Sequence, residues 1–172
     1  MRPKPAVYAG IVAAAALSRL VPHAPNFTPI GALALFAGTS FEEKPMAFLV
    51  PLAAMLLSDA VIGFHGGMPA VYASFLLSVL MGRRLRRAGR DPGAAAIASA
   101  SLWSSTLFYA LTNFAVWAGS GMYPHTAAGL AGCYAAAIPF FGNTLASGLL
   151  YSAGLFGAAR LADRTVLKPV GV

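Results

Sequence analysis

Charge is what this chain has least of. Its 172 residues include only five Asp or Glu against twelve Lys or Arg, and charged residues make up 10% of the total. Soluble domains carry about 25%, so a water-facing surface of ordinary polarity cannot be built from this composition. Cysteine occurs once, at Cys133, which excludes an internal disulfide and any CxxC metal site. Apolar/polar alternation over about ten residues, the mark of an outer-membrane barrel, is absent. Nothing matches GxxxxGK[ST], so any use of ATP must come from partner subunits. No serine or cysteine nucleophile stands beside an evident base. Neither an enzyme nor a cofactor is implied.

What is present is apolar material. The chain is 58% hydrophobic, with a mean hydropathy of +0.71, and apolar runs of about twenty residues recur along it. Backbone in lipid must satisfy its own hydrogen bonds, so the expected fold is an all-α integral membrane protein, a bundle of six transmembrane helices. The start, MRPKPAVYAGIVAAAALS, has the basic head and apolar stretch of a signal peptide. Its apolar stretch runs on to Val21, and an uncleaved first span is expected.

Spans are expected at about 6–22, 28–41, 45–64, 68–83, 94–118 and 142–160 in one single domain. The apolar stretch from Thr126 to Arg160 would reach about 52 Å as one helix, against a hydrocarbon core of about 30 Å. Pro139 and Gly142 are expected to break it, leaving a short membrane-dipping helix at about 127–138 before the last span. The second span is short, about 21 Å, and would be re-entrant if charge did not argue otherwise.

With six spans and both termini inside, eleven of the twelve basic residues fall on one side: Arg2, Lys4, Lys44, Arg83, Arg84, Arg86, Arg87, Arg90, Arg160, Arg164 and Lys168. This is the positive-inside pattern, expected of a bacterial cytoplasmic membrane protein with cytoplasmic termini. Were the second span re-entrant, the cluster GRRLRRAGR would face outward. The basic loop is therefore expected to act as a topology determinant, with contact to anionic lipid headgroups as a secondary effect, so the net charge of +7 does not point to nucleic acid. No aromatic-interleaved basic stripe points to nucleic acid.

Polar residues gather at the other side. Arg19 lies three residues before the outer end of the first span, and Asp59 near the outer end of the third. Ionisable groups inside a membrane are costly and mark functional candidates with a partner to be named. The two are expected to pair, as a structural or a ligand-binding unit, unless Arg19 merely snorkels to the surface. His23, His65 and His125 all fall on this side. Three imidazoles can bind a transition metal, although no HxxxH-type spacing supports one and interfacial histidines are common. Asn26, Thr28, Tyr72, Asn113, Trp117, Tyr123 and Asn143, with Ser58, complete the set. Trp117 and Tyr123 are either pocket residues or an aromatic belt; Asn113 and Asn143 are either pocket residues or interhelical glue.

The segment PHAPNFTPIGALALFAG at 22–38 explains itself in this frame. Pro22, Pro25 and Pro29 keep residues 22–28 out of a helix, Thr28 is a candidate N-cap, and Pro29 suits a first helical turn. Irregular backbone at membrane depth must lie against protein or a water-filled cavity. With GFHGGMP at 63–69 and GSGMYPHT at 119–126 it is expected to line an outward-facing pocket for a small organic ligand. The first span carries Ala9 and Ala13, and Gly10 and Ala14, at small-xxx-small spacing, for internal packing or for docking a partner helix.

Taken together, the Pro-Asn-x-x-Pro entry to the second span, the late Ser-Asp of AFLVPLAAMLLSDAVIGF, the glycine-rich turn into the fourth span and the alanine-rich first helix resemble the S-components of energy-coupling-factor transporters. The block YPHTAAGLAGCYAAAIPFFGNTLASGLLYSAGLFG is similar to that of an uncharacterised family of small bacterial membrane proteins related to them. The resemblance covers most of the chain. It implies a membrane-embedded binder of a vitamin or precursor, with Ala9 and Ala13 meeting a transmembrane coupling subunit that works with ATPases. Relatives known for cobalamin chemistry use a cysteine near the start of the third helix; Cys133 lies elsewhere, so that chemistry is not implied. The expected function is uptake of a small water-soluble metabolite. The rivals are a metal- or cofactor-handling protein using the outer histidines, and a scaffold subunit with no ligand.

Overall fold

The computed structural model describes residues 5–87 and 92–166, with side-chain surroundings for 10–86 and 92–161. Arg2, Lys4, Arg90, Asp91 and Lys168 lie outside the described residues, as do the side chains of Ala9, Arg87, Asp163 and Arg164. Six α-helices make up the described chain: α1 (Pro5–Leu20), α2 (Ile30–Ser40), α3 (Lys44–Ile62), α4 (Met68–Arg87), α5 (Ala94–Gly119) and α6 (Ala127–Val166).

Three stretches are long and apolar enough to cross a membrane: Lys44–Ile62, Ala94–Gly119 and Ala127–Leu161. Their outward faces are those of a protein whose solvent is hydrocarbon. Leu49, Leu56, Leu57, Leu102, Trp103, Phe140, Leu149 and Leu150 are all exposed, a density of bare apolar side chains that water would penalise. The helix α4 has the length to cross, but Arg83, Arg84, Arg86 and Arg87 fill its last turns.

The short helix α2 is the centre of the molecule. It packs against α3, α4, α5 and α6, and Ile30, Ala34, Leu35 and Ala37 are fully buried. At eleven residues it is about 16 Å long, shorter than the span expected over 28–41. Because neighbouring helices surround it, protein rather than lipid solvates its ends, and spanning length is not required.

Glycines set how closely α4 approaches. A Cβ at Gly38 would stand 2.1 Å from the Val79 carbonyl oxygen, and one at Gly82 2.2 Å from the Leu35 carbonyl oxygen. At the same contact Thr39 donates to the Leu35 carbonyl at 2.8 Å and to the Gly82 carbonyl at 3.3 Å. Nearby, Arg83 donates to the Phe41 carbonyl at 2.9 Å.

The break expected at Pro139 and Gly142 does not occur: α6 runs through both, so the dipping helix at 127–138 and the span at 142–160 are one forty-residue helix. Proline removes one N–H and crowds the carbonyl four residues back, yet membrane helices tolerate it where neighbours supply partners. Here Tyr109 of α5 donates its hydroxyl to the Tyr134 carbonyl at 2.6 Å, beside the Ala135 carbonyl that Pro139 leaves without a donor. Stacking of Tyr109 on Phe141 at 4.5 Å holds the same turn.

The helices alternate in direction, giving two unlike ends. At one, Lys44 opens α3, Arg83 meets Phe41, and Arg160 of α6 donates to the Pro92 carbonyl ahead of α5. At the other, the end of α1 meets the end of α3 and the start of α4.

The glycine contact gives a direct expectation. Gly82→Ala forces backbone apart and should cost about 1–3 kcal/mol, whereas Gly10→Ala, where an added Cβ meets nothing within 4 Å, should be neutral. Thermal unfolding of the two variants in detergent checks this; equal melting temperatures would refute the close α2–α4 contact.

Candidate functional site

Asp59 sits in the last turn of α3, which closes at Gly63 with φ 110, its N–H donating to the Asp59 carbonyl at 2.8 Å. A carboxylate there faces the negative end of the helix dipole, so it needs a cation. Arg19 in the last turn of α1 supplies one: its Nη1 stands 2.7 Å from Asp59 Oδ1. The same nitrogen donates to the Met55 carbonyl at 3.3 Å and to the Ser58 hydroxyl. Tyr72 of α4 donates to the other carboxylate oxygen at 2.8 Å. Asp59 is 1% exposed; a charge so enclosed persists only when paired and hydrogen-bonded.

The turn at 21–29 packs beside this pair. Phe27 N–H donates to the Ala24 carbonyl at 2.9 Å, and Asn26 takes φ 62, a left-handed conformation that asparagine accepts better than most residues. The turn's carbonyls are met from α6: Asn143 donates to Pro25 at 3.0 Å and Ser147 to Asn26 at 3.4 Å. Thr28 makes no cap bond, and Pro29 itself occupies the cap position of α2.

These elements enclose a cavity of about 450 Å³ to which every helix contributes. Arg19, His23, Asn26, Thr28, Asp59 and His65, all expected in the site, line it. Met55, Ile62, Met68, Val71, Phe75 and Phe108 form an apolar belt, with Phe75 and Phe108 stacked at 5.4 Å. His23 and His65 stand exposed at the mouth with opposite hydrogen-bonding roles. His23 donates through Nδ1 to the Ala24 carbonyl at 2.9 Å, and His65 accepts through Nδ1 from Gly67 N–H at 3.2 Å. In the neutral rings Nε2 of His23 is thus an acceptor and Nε2 of His65 a donor.

Other expected residues lie elsewhere. Tyr72 holds Asp59 without lining the cavity, and Asn143 braces the turn. Asn113 is two turns beyond Ser105 on α5 and bonds back to the Tyr109 carbonyl at 2.8 Å, beside a smaller side cavity of about 220 Å³. Trp117, Tyr123 and His125 sit further out at the α5–α6 connection. There Trp117 donates to the Pro124 carbonyl at 3.0 Å and its ring meets His125 at 5.3 Å. Trp117, Tyr123 and His125 do not line either cavity, whereas Asn113 lines the side cavity, which shares Asn26, Val71, Phe108 and Thr144 with the main one. The three histidines are therefore not together, and no three His, Cys, Asp or Glu side chains are placed to hold a metal among the described residues.

A wall of hydroxyls was not foreseen. Ser101, Ser104 and Ser105 of α5 face Thr144 and Ser147 of α6 across the cavity floor. Serine three and four apart within apolar helices is the signal that marks such a face.

Residues 1–169 match the model of a family described as a family of unknown function (DUF6580). The chain belongs to that family. No curated protein and no solved structure matches it.

The ion pair predicts a non-additive mutant cycle. Asp59→Leu leaves Arg19 facing a closed site and should destabilise by about 3–5 kcal/mol, while Arg19→Met with Asp59→Leu should recover most of that loss. Thermal unfolding of both single variants and the double variant measures the coupling; additive losses would mean that the two charges do not interact.

Proposed function

We propose that the chain is a membrane-embedded binder of a small water-soluble metabolite, taken from outside through this cavity and passed inward. The observation that carries the reading is the buried Arg19–Asp59–Tyr72 unit opening on a cavity of about 450 Å³, a size in the range of small-molecule sites. A pair kept only for stability would be replaceable by hydrophobic residues and would have no reason to border a cavity lined by all six helices. The vitamin-or-precursor class and the six-span, S-component-like bundle belong to this reading. So does the orientation in a bacterial cytoplasmic membrane with both termini and the arginine end inside.

Support for a coupling partner comes from α1. It packs chiefly on α3, with Ala15 and Ala16 buried while Gly10, Ala13 and Ala14 remain exposed. The small-residue face is therefore not consumed by internal packing. A transmembrane coupling subunit, itself working with ATPases, is the partner this face fits; the chain's own role is binding rather than catalysis.

Native mass spectrometry of gently extracted protein tests the binding. The wild type should retain a small molecule, and the Arg19→Met/Asp59→Leu protein, folded by its melting curve, should lose it. A folded double variant that retains the same molecule would make the pair structural and remove it from the site.

A further inference from the structure

The hydroxyl wall has a chemical polarity of its own. Ser105 donates to the Thr144 carbonyl at 3.3 Å, Ser147 shares its one hydrogen between the same carbonyl at 3.2 Å and the Asn26 carbonyl at 3.4 Å, and Thr144 donates to the Phe140 carbonyl at 3.0 Å. Ser104 and Ser78 share a hydrogen bond of 2.6 Å. The Ser78 hydrogen goes to the Ser74 carbonyl at 2.9 Å, so Ser104 is the donor of the shared bond. A hydroxyl carries one hydrogen and two lone pairs. Four of the wall's hydroxyls thus have their hydrogen engaged by protein and turn only lone pairs to the cavity. Ser101 receives Ser152 at 3.5 Å and is the exception, its own hydrogen having no protein acceptor among the described residues.

The opposite side is reversed. Arg19 uses Nη1 for Asp59, Ser58 and Met55, while its Nε and Nη2 have no protein partner among the described residues, and the side chain lines the cavity. The α5–α6 wall therefore accepts, Arg19 donates beside the already paired Asp59 carboxylate, and a stacked aromatic pair shares the lining. The lone ion pair makes the lining neutral in sum, so a ligand with net charge would be desolvated without a counter-charge.

We infer that the cavity takes a small, net-neutral molecule with an amine or amide N–H group at the α5–α6 wall and a carboxylate or carbonyl oxygen at Arg19. An alcohol suits the wall less well, because it also brings an acceptor that four of the five hydroxyls cannot answer, whereas an ammonium brings donors alone. An ammonium gains further from the Phe108 and Phe75 faces. This deepens the binding reading and depends on it.

The test uses full-length protein in detergent, with para-(aminomethyl)benzoate, para-toluate, which lacks the amine, and benzylamine, which lacks the carboxylate. Isothermal titration should show the first binding about tenfold more tightly than either of the others. Ser105→Ala, with Ser105→Cys as a second variant, should weaken the first by about three- to tenfold and leave para-toluate unchanged. Equal affinity of para-toluate, equal loss for both probes in Ser105→Ala, or no binding of any probe would overturn the inference. If the molecule retained by wild-type protein has no N–H group, this inference falls while the binding reading stands. If nothing is retained and no probe binds, both fall.

Discussion

A carboxylate at the carbonyl end of a helix, shut away from water, is the constraint from which the pocket end of the molecule follows. Asp59 is untenable alone, since the dipole of α3 and the low-dielectric surroundings both act against its charge. Arg19 answers it from α1, Tyr72 from α4, and the three helices must therefore meet at one depth. Every interhelical polar contact of α1 among the described residues runs through Arg19. The pair thus adds a polar tie to the apolar contacts that Ile11, Val12, Ala15 and Ala16 make with the bundle.

The same end holds a turn that cannot be helix. Its three prolines free backbone carbonyls, and α6 reaches across with Asn143 and Ser147 to bond two of them. Those bonds hold the turn at the cavity, where Asn26 and Thr28 line the space together with Ser147 of α6. The central helix α2 stays short for the related reason that the turn takes the residues a longer helix would use. Close approach at Gly38 and Gly82 then compensates at the other end, where α2 and α4 touch backbone to backbone.

Much of this was legible in the sequence. Helix positions followed from apolar runs, and the Arg19–Asp59 pair from the cost of two lone charges at equal depth. Six of the expected pocket residues line the cavity because the turn and the ends of α1 and α3 are fixed by prolines, glycines and that pair. What was not legible has one cause: counting along a helix gives depth, not neighbours. Pro139 reads as a break by the rule for helices in water, yet α6 continues through it, with Tyr109 of α5 packed against that turn. Trp117 and His125 have the right side but sit at the α5–α6 connection outside the cavity lining, and Asn113 lines the side cavity instead. The serines of α5 and α6 look unremarkable one at a time; they become a wall only when the two helices face each other.

Under the uptake reading, the position of Arg19 on α1 is as informative as the strength of the pair. A ligand oxygen at the free nitrogens of Arg19 shares the guanidinium that Asp59 holds through Nη1, and so bears on the polar tie of α1 to α3. The opposite face of α1 leaves Gly10, Ala13 and Ala14 uncovered, where close approach of another helix needs no rearrangement. Occupancy of the cavity and engagement of a partner would then bear on one helix from its two sides. A ligand can shift such an equilibrium only by its difference in affinity between two arrangements, and Arg19 is the side chain able to register that difference.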